Sequence, residues 1–124
     1  MKILLVEDDF IAAVAAEELL SSHFTAEVET AKTGEAAVKR SKAEQYQFIF
    51  MDIGLPDISG FEATRQIKNH ADSQNHNTPI IALTGNTNTD TKTKGINAGM
   101  TEILEKPLTQ TKLKSVFARL KSAE

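Results

Sequence analysis

Asp52 closes the apolar run Phe48-Ile49-Phe50-Met51 and opens the turn Asp52-Ile53-Gly54-Leu55-Pro56. A short continuous apolar run that stops at a breaker-rich turn reads as a buried strand of a parallel sheet. The carboxylate at its C-terminal end lies where open α/β sheets bind ligands. Other strand-like runs also end in side chains capable of chemistry. Ile3-Leu4-Leu5-Val6 gives way to Glu7-Asp8-Asp9, Ile80-Ile81-Ala82-Leu83 to Thr84-Gly85, and Ile103-Leu104-Glu105 to Lys106-Pro107. Carboxylates, one hydroxyl and one lysine at the same end of one sheet suit a metal ion and a phosphoryl group.

The elements that must position these groups alternate strand and helix five times, the pattern of a parallel α/β sheet. Lys2–Glu7 reads as the first strand and Asp9–Ser21 as the first helix, with Phe10, Ile11, Val14 and Leu19 broadly on one side and Asp9 as its cap. Phe24–Thr30 alternates Glu27 and Glu29 against Ala26, Val28 and Thr30, the period of a half-exposed edge strand. Thr33–Glu44 is a helix and Gln47–Asp52 the central strand. Ser59 and Glu62 form a capping box that starts a third helix, each side chain satisfying an end amide. A polar connection, Asn69–Thr78, leads to a strand at Pro79–Thr84. In Asn86–Gly99, Thr87, Thr89, Thr91 and Thr93 alternate as in a strand, and threonine and asparagine are poor helix formers. The βα rhythm nevertheless demands a crossover, so the segment reads as a short, marginal helix at about Thr89–Ala98. The last helix, from about Thr109, repeats Leu113, Val116, Phe117 and Leu120 at i, i+3, i+4, i+7 and buries one clean stripe.

The chain has 124 residues, 40% of them hydrophobic and 25% charged, and carries a formal net charge of -3. These are the proportions of one soluble globular domain. No run approaches the roughly 18 apolar residues of a membrane helix, and no signal-peptide pattern is present. The absence of cysteine rules out disulfides, thiol catalysis and cysteine-based metal sites, which points to a reducing compartment. The negative net charge and the scatter of Lys32, Lys39, Lys42, Lys92, Lys94, Lys112, Lys114 and Lys121 without interleaved aromatics argue against nucleic-acid binding. His23, His70 and His76 lack metal-ligand spacing and read as solvent-exposed. Asp57 reads as a turn residue. The chain is expected to end where its fifth helix ends, with residues 1–124 forming one domain and no output domain.

Four motifs in order, each at a strand end, carry a resemblance to the receiver domain of two-component response regulators, over essentially the whole chain. They are Leu5-Val6-Glu7-Asp8-Asp9, Met51-Asp52-Ile53-Gly54-Leu55-Pro56 with Ser59-Gly60 behind, Ala82-Leu83-Thr84-Gly85, and Gly99-Met100 followed by Leu104-Glu105-Lys106-Pro107. The resemblance implies a doubly wound, flavodoxin-like five-stranded parallel sheet of order 2-1-3-4-5. It implies that Asp52 is the phosphoacceptor, taking a phosphoryl group from a phosphohistidine of a histidine kinase or histidine phosphotransfer domain. Asp8 matches a direct Mg²⁺ ligand and Glu7 a ligand through water, while Gly54 lends a backbone carbonyl. Thr84 supplies the hydroxyl and Lys106 the ammonium that meet the phosphoryl group. Gly85 matches a small residue that leaves the site open, and Pro107 a proline commonly preceded by a cis peptide bond. The implied setting is the cytoplasm, or the cytoplasmic side of a membrane-anchored hybrid kinase, as a monomer or weak dimer without direct membrane contact.

Elementary electrostatics supports these roles. Two unit charges ~5 Å apart at an effective dielectric of about 20 repel by roughly 3 kcal/mol, so Glu7, Asp8 and Asp52 together need a cation. A hard divalent ion that keeps some of its waters, such as Mg²⁺, fits beside a phosphate. Phosphoryl transfer asks the protein to position an in-line nucleophile and neutralise charge. Asp52 is already ionised at neutral pH and needs no base.

Some positions depart from the family pattern. Ile103 stands where many receivers carry Tyr or Phe three residues before the lysine, so an aromatic switch is not expected. Met51-Asp52-Ile53-Gly54-Leu55-Pro56, Phe61-Glu62-Ala63-Thr64-Arg65 and Gly99-Met100 most resemble receivers attached to hybrid histidine kinases. A free-standing regulator is the alternative. Neither Gly54 nor Asn86, two positions beyond Asp52 and Thr84, offers a carboxylate to help a water attack, so no unusually fast self-dephosphorylation is expected. Three rival readings remain. A haloacid-dehalogenase-type phosphatase would place an acid where Gly54 stands, and a flavodoxin-like FMN carrier would place its phosphate loop where Glu7-Asp8-Asp9 would repel it. A pseudo-receiver would bind partners without phosphorylation.

Overall fold

The computed structural model describes residues 1–122. Its elements are β1 (Lys2–Val6), α1 (Phe10–Phe24), β2 (Glu27–Ala31), α2 (Gly34–Ala43), β3 (Phe48–Asp52), α3 (Gly60–Asn69), β4 (Ile80–Thr84), α4 (Thr89–Ala98), β5 (Glu102–Glu105) and α5 (Gln110–Ser122). The strands form one parallel sheet in the order β2-β1-β3-β4-β5. The order and the edge position of β2 are those expected. The expectation that the last helix ends with the chain involves residues 123–124, which lie outside the described residues.

Both faces of the sheet are covered, which is why β1, β3 and β4 are apolar throughout. Ile3, Leu5, Phe48, Phe50, Ile81 and Leu83 face one layer, where α1 and α5 pack. Leu4, Val6, Ile49, Met51, Ile80 and Ala82 face the other, against Ala37 and Val38 of α2 and Ala63 and Ile67 of α3. Phe117 of α5 meets Phe24, Phe48 and Phe50 edge-on, at centroid distances of 4.9, 5.0 and 6.1 Å. The stripe read on the last helix is the buried one, with Leu113, Val116 and Phe117 in the core and Leu120 packed at its margin.

On the first helix, the side that carries Phe10, Ile11 and Val14 is the one turned to solvent. Phe10 is 73% exposed, Ile11 78% and Val14 46%, while the buried positions are Ala13, Ala16 and Leu20. Small side chains let α1 lie close to the sheet, so the contact face is set by the alanines rather than by the largest apolar residues. Asp9 does cap α1, accepting from Ala12 N at 2.9 Å.

The marginal helix, α4, forms over the expected residues because both ends are capped. Asn88 Oδ1 accepts from Thr91 N at 2.8 Å, and Gly99, at φ 105°, turns the chain so that its own N–H and that of Met100 reach Gly95 O. These caps offset the poor propensity of its threonines. At α3, Ser59 Oγ accepts from Glu62 N at 3.1 Å. The reciprocal half of the expected capping box is replaced, since the Glu62 carboxylate accepts from Gln66 and pairs with Arg65 along the helix. The 69–78 connection is less solvated than its composition suggests. Asn75 is fully buried and ties three segments together, His70 is half-buried, and His23 and His76 are exposed.

Candidate functional site at the C-terminal edge of the sheet

Parallel register brings the candidate residues to one level. Val6 stands beside Met51, Asp52 beside Leu83, and Thr84 beside Glu105. The residues at or just past these pairs are Glu7, Asp52, Thr84 and Lys106. Backbone bonds hold the strand exits in place, from Glu7 N to Ala31 O (3.0 Å), Ile53 N to Leu83 O (3.2 Å) and Lys106 N to Thr84 O (2.7 Å). The Lys106–Pro107 peptide is cis, as the resemblance implied.

Glu7, Asp52 and Thr84 are 2, 7 and 5% exposed, whereas Asp8 is open to solvent. One carboxylate oxygen from each of Glu7, Asp8 and Asp52 lies within 4.8 Å of the others. Lys106 Nζ lies between two of them, 2.7 Å from Glu7 Oε1 and 3.2 Å from Asp52 Oδ2. Asp52 Oδ1 accepts from Gly54 N at 3.0 Å, and Glu7 Oε2 from Asp9 N at 3.4 Å. Three hard oxygen donors from three carboxylates fit a small divalent cation.

Charge within this cluster is uncompensated. Burial, and then the hydrogen bond with Asp52, push the Glu7 carboxyl up to about 7. Burial also works against ionised Asp52, but the hydrogen bonds with Glu7 and from Gly54, together with the Lys106 ammonium, outweigh it and hold Asp52 below the ordinary carboxylate range. Lys106 is raised, because the hydrogen bond to Glu7 and the Asp52 charge overcome its burial. Of the two coupled carboxyls, Glu7 is therefore the one favoured to hold a proton and Asp52 the one favoured as the anion.

The structure does not bring Thr84 Oγ1 onto the carboxylates. It is held in a local turn, donating to Asn86 O (3.0 Å) and accepting from Asn86 N (3.2 Å). A Cβ at Gly85 would meet nothing within 4 Å, and one at Gly54 only Asp52 Oδ1 at 3.8 Å, so the mouth of the site is open at both positions. Ile103, in place of an aromatic, packs under α4, where a Cβ on Gly95 would lie 2.9 Å from its Cδ1.

Two features escaped the sequence. Asp57 is more than a turn residue, since its carboxylate reaches the N-terminus of α2, accepting from Gly34 N (2.9 Å) and Glu35 N (2.8 Å). No local pattern signals a bond between residues so far apart. The exposed Phe10, Ile11 and Val14 also lie at the rim, directly after Glu7-Asp8-Asp9. The buried Ala13, Ala16 and Leu20 spacing could have shown that these three were surplus to the core. Beside them, a mostly apolar cleft of about 290 Å³ runs between Ala12, Ala15 and Leu19 of α1 and Pro107 and Leu108, with Glu7 and Lys106 among its lining.

A doubly wound sheet with acids, a hydroxyl and a lysine at its C-terminal edge defines a phosphoryl-handling class of α/β domain. Comparison makes the class specific: residues 3–118 match the response regulator receiver domain, and the chain belongs to that family. It is 36% identical over 112 residues to the transcription factor prr1 of Schizosaccharomyces pombe, spanning 90% of this chain and 20% of that protein. It is 32% identical over 119 residues to the aerobic respiration control sensor protein ArcB of Escherichia coli, spanning 96% of this chain and 15% of ArcB. The chain thus spans a fifth or less of these two relatives. The receiver domain of the sensor histidine kinase PA1611 from Pseudomonas aeruginosa superposes with a TM-score of 0.85 at 33% identity, covering 95% of this chain and 94% of that one. It was solved with a magnesium ion coordinated in its active-site cleft. Among the described residues of the present chain, no helix is long and apolar enough to cross a membrane.

Proposed function

We propose that Asp52 accepts a phosphoryl group from a phosphohistidine of a histidine kinase or phosphotransfer domain, in a reaction that requires Mg²⁺. The observation that carries this reading is the state of Asp52, which is buried, ionised and fixed by Gly54 N–H and the Lys106 ammonium at the open end of the sheet. An Asp52 oxygen attacks phosphorus as the phosphorus–nitrogen bond breaks. Its electron pair returns to the imidazole, leaving an acyl phosphate on the protein. Glu7, Asp8 and Asp52, with the Gly54 carbonyl, would hold Mg²⁺, which when bound neutralises charge on the phosphoryl oxygens. Lys106 supplies the second positive charge, and Thr84 the hydroxyl. Gly54 argues against a phosphatase, which would need an acid there.

The donor docks on the rim. Phe10, Ile11 and Val14 offer an exposed apolar patch on the first turns of α1, which follows the Glu7-Asp8 acids in sequence, and a donor helix laid against α1 would bring its phosphohistidine to the acceptor. Residues 1–124 are read as one receiver domain. The ArcB likeness favours a hybrid kinase as its parent, with a free-standing regulator as the alternative.

The output is a shift between two states. Thr84 Oγ1 is occupied by Asn86 in the present structure, so turning it to a phosphoryl oxygen releases the start of the 86–99 segment. Amide exchange in 86–99 should change with a phosphoryl mimic such as beryllium fluoride; no change would remove the switching half of this reading. The acceptor half is tested by intact mass after incubation with acetyl phosphate and Mg²⁺. One added phosphoryl group, lost in Asp52→Asn and with a chelator, supports it. A folded protein that gains none from acetyl phosphate or from a histidine-phosphorylated kinase would be a pseudo-receiver.

A further inference from the structure

We propose that Asp57 is a positioning residue for the phosphoacceptor loop, tying it to the N-terminus of α2 so that Gly54 is fixed for the metal and for Asp52. The inference rests on the proposed Mg²⁺-dependent acceptor role of Asp52. The loop 53–59 leaves β3 at the acceptor and enters α3 at Gly60. Its ends are closed on each other, with Gly60 N donating to Ile53 O at 3.1 Å. Gly60 lies so near the acceptor's backbone that a Cβ there would stand 2.3 Å from Asp52 O. The intervening residues have no strand or helix of their own.

Asp57 anchors this span to an element outside it, α2. Its two carboxylate oxygens each take one amide of the first turn of α2. The next residue, Ile58, rests on Gly34 so closely that a Cβ there would come within 2.5 Å of Ile58 Cγ1. The helix does not depend on Asp57 for its own cap, because Thr33 Oγ1 already accepts from Ala36 N at 3.0 Å. The contact therefore does something for the loop as well as for the helix. Gly54 N–H orients Asp52 Oδ1, and the Gly54 carbonyl is the proposed metal ligand. A loop free to shift at residue 57 would loosen both.

The test is a Mg²⁺ titration at constant ionic strength, followed by the amide resonances around Gly54, on the wild type, Asp57→Asn, Asp57→Ala and Gly34→Ala. Asn and Ala remove the same charge, but Asn keeps one carbonyl acceptor. Their difference reports the tether and not the lost negative charge. Gly34→Ala displaces Ile58 without altering any charge. The expected order of half-saturating Mg²⁺ is wild type, then Asp57→Asn, then Asp57→Ala, the last weakened by about tenfold, as for other partners that orient a ligand. Gly34→Ala should also weaken binding, and metal-free Gly54 amide exchange should quicken in the same order. Equal affinity and equal Gly54 exchange in Asp57→Asn and Asp57→Ala, with Gly34→Ala like the wild type, would overturn the proposal while leaving the Mg²⁺ site standing. Should Asp57→Ala fail to fold, Asp57→Asn and Gly34→Ala decide it by the same readouts. A wild type that binds no Mg²⁺ at all would instead remove the acceptor reading and this inference with it.

Discussion

Glu7 should make the metal-free protein less stable as the pH rises through neutrality. Its carboxyl is raised from an unfolded value of 4.5 to about 7, burial being the first cause and the neighbouring Asp52 the second. Between those two values the folded state holds a proton that the unfolded state has released. Stability therefore falls as pH climbs through this window, the reverse of the usual behaviour of a salt-bridged acid. Linkage over the part of the window from about pH 5.5 to about pH 8 gives a loss of about 2 kcal/mol, with one pKa unit worth about 1.4 kcal/mol. Asp52, held low, is ionised throughout and adds no slope there. The assay is urea unfolding followed by far-UV circular dichroism in a chelator, at several pH values, for wild type and Glu7→Gln. The wild type should lose about 2 kcal/mol relative to the variant across that span, so that Glu7→Gln is the more stable protein at the alkaline end. If the proposed Mg²⁺ site is filled in the folded state alone, excess Mg²⁺ should restore the wild type there. Parallel pH profiles for the two proteins would refute the assignment of the retained proton to Glu7.

Other expectations follow from single contacts. Asp52→Asn, with one buried charge removed beside Glu7, should lower the Glu7 pKa, read by carboxyl carbon shifts in an NMR titration; an unchanged value would leave burial as its only cause. Asn75→Ala should cost about 2–4 kcal/mol in chemical unfolding, because the side chain accepts from Tyr46 N and Thr78 Oγ1 and donates to Ser41 O and Glu44 O, and its loss removes all four bonds from a buried place. Charging the rim with Phe10→Asp and Ile11→Glu should slow transfer from a phosphotransfer domain by about tenfold or more, while the rate with acetyl phosphate stays the same. Gly54→Glu or Asn86→Asp should change acyl-phosphate decay, measured by intact mass against time, since both positions are open to the phosphoryl group.

The sequence made the strands, their order and the residues at their ends legible because each rests on a strong local signal. Apolar runs such as Phe48–Met51 can only be buried on both faces, and the reactive residues follow them directly. The segment 89–98 was harder, since its threonines alternate like a strand, and only caps at Asn88 and Gly99 decide for helix. Which side of α1 faces the core was not legible from its largest apolar residues, because a helix lying close to a sheet puts alanine inside. The reading of Asp57 stopped at a turn residue. Its partners are 23 and 22 residues earlier in the chain, and nothing in an Asp after Pro separates a turn residue from a long-range anchor.

The resting site also explains why sequence alone could name its residues but not their state. Glu7 and Asp52, both buried, would together place two negative charges side by side if both were ionised. In the metal-free protein two effects meet that charge: the raised Glu7 carboxyl favours keeping a proton, and the Lys106 ammonium is drawn to Glu7 Oε1 more closely than to Asp52. On the proposed metal site, a divalent cation held by Glu7, Asp8 and Asp52 would make that proton redundant and loosen the hold of Glu7 on the lysine. Mg²⁺ binding near neutral pH should therefore release a proton and leave Lys106 closer to Asp52, where the incoming phosphoryl charge must be met. On this argument the Glu7–Lys106 contact belongs to the unloaded site and gives way when the site is loaded.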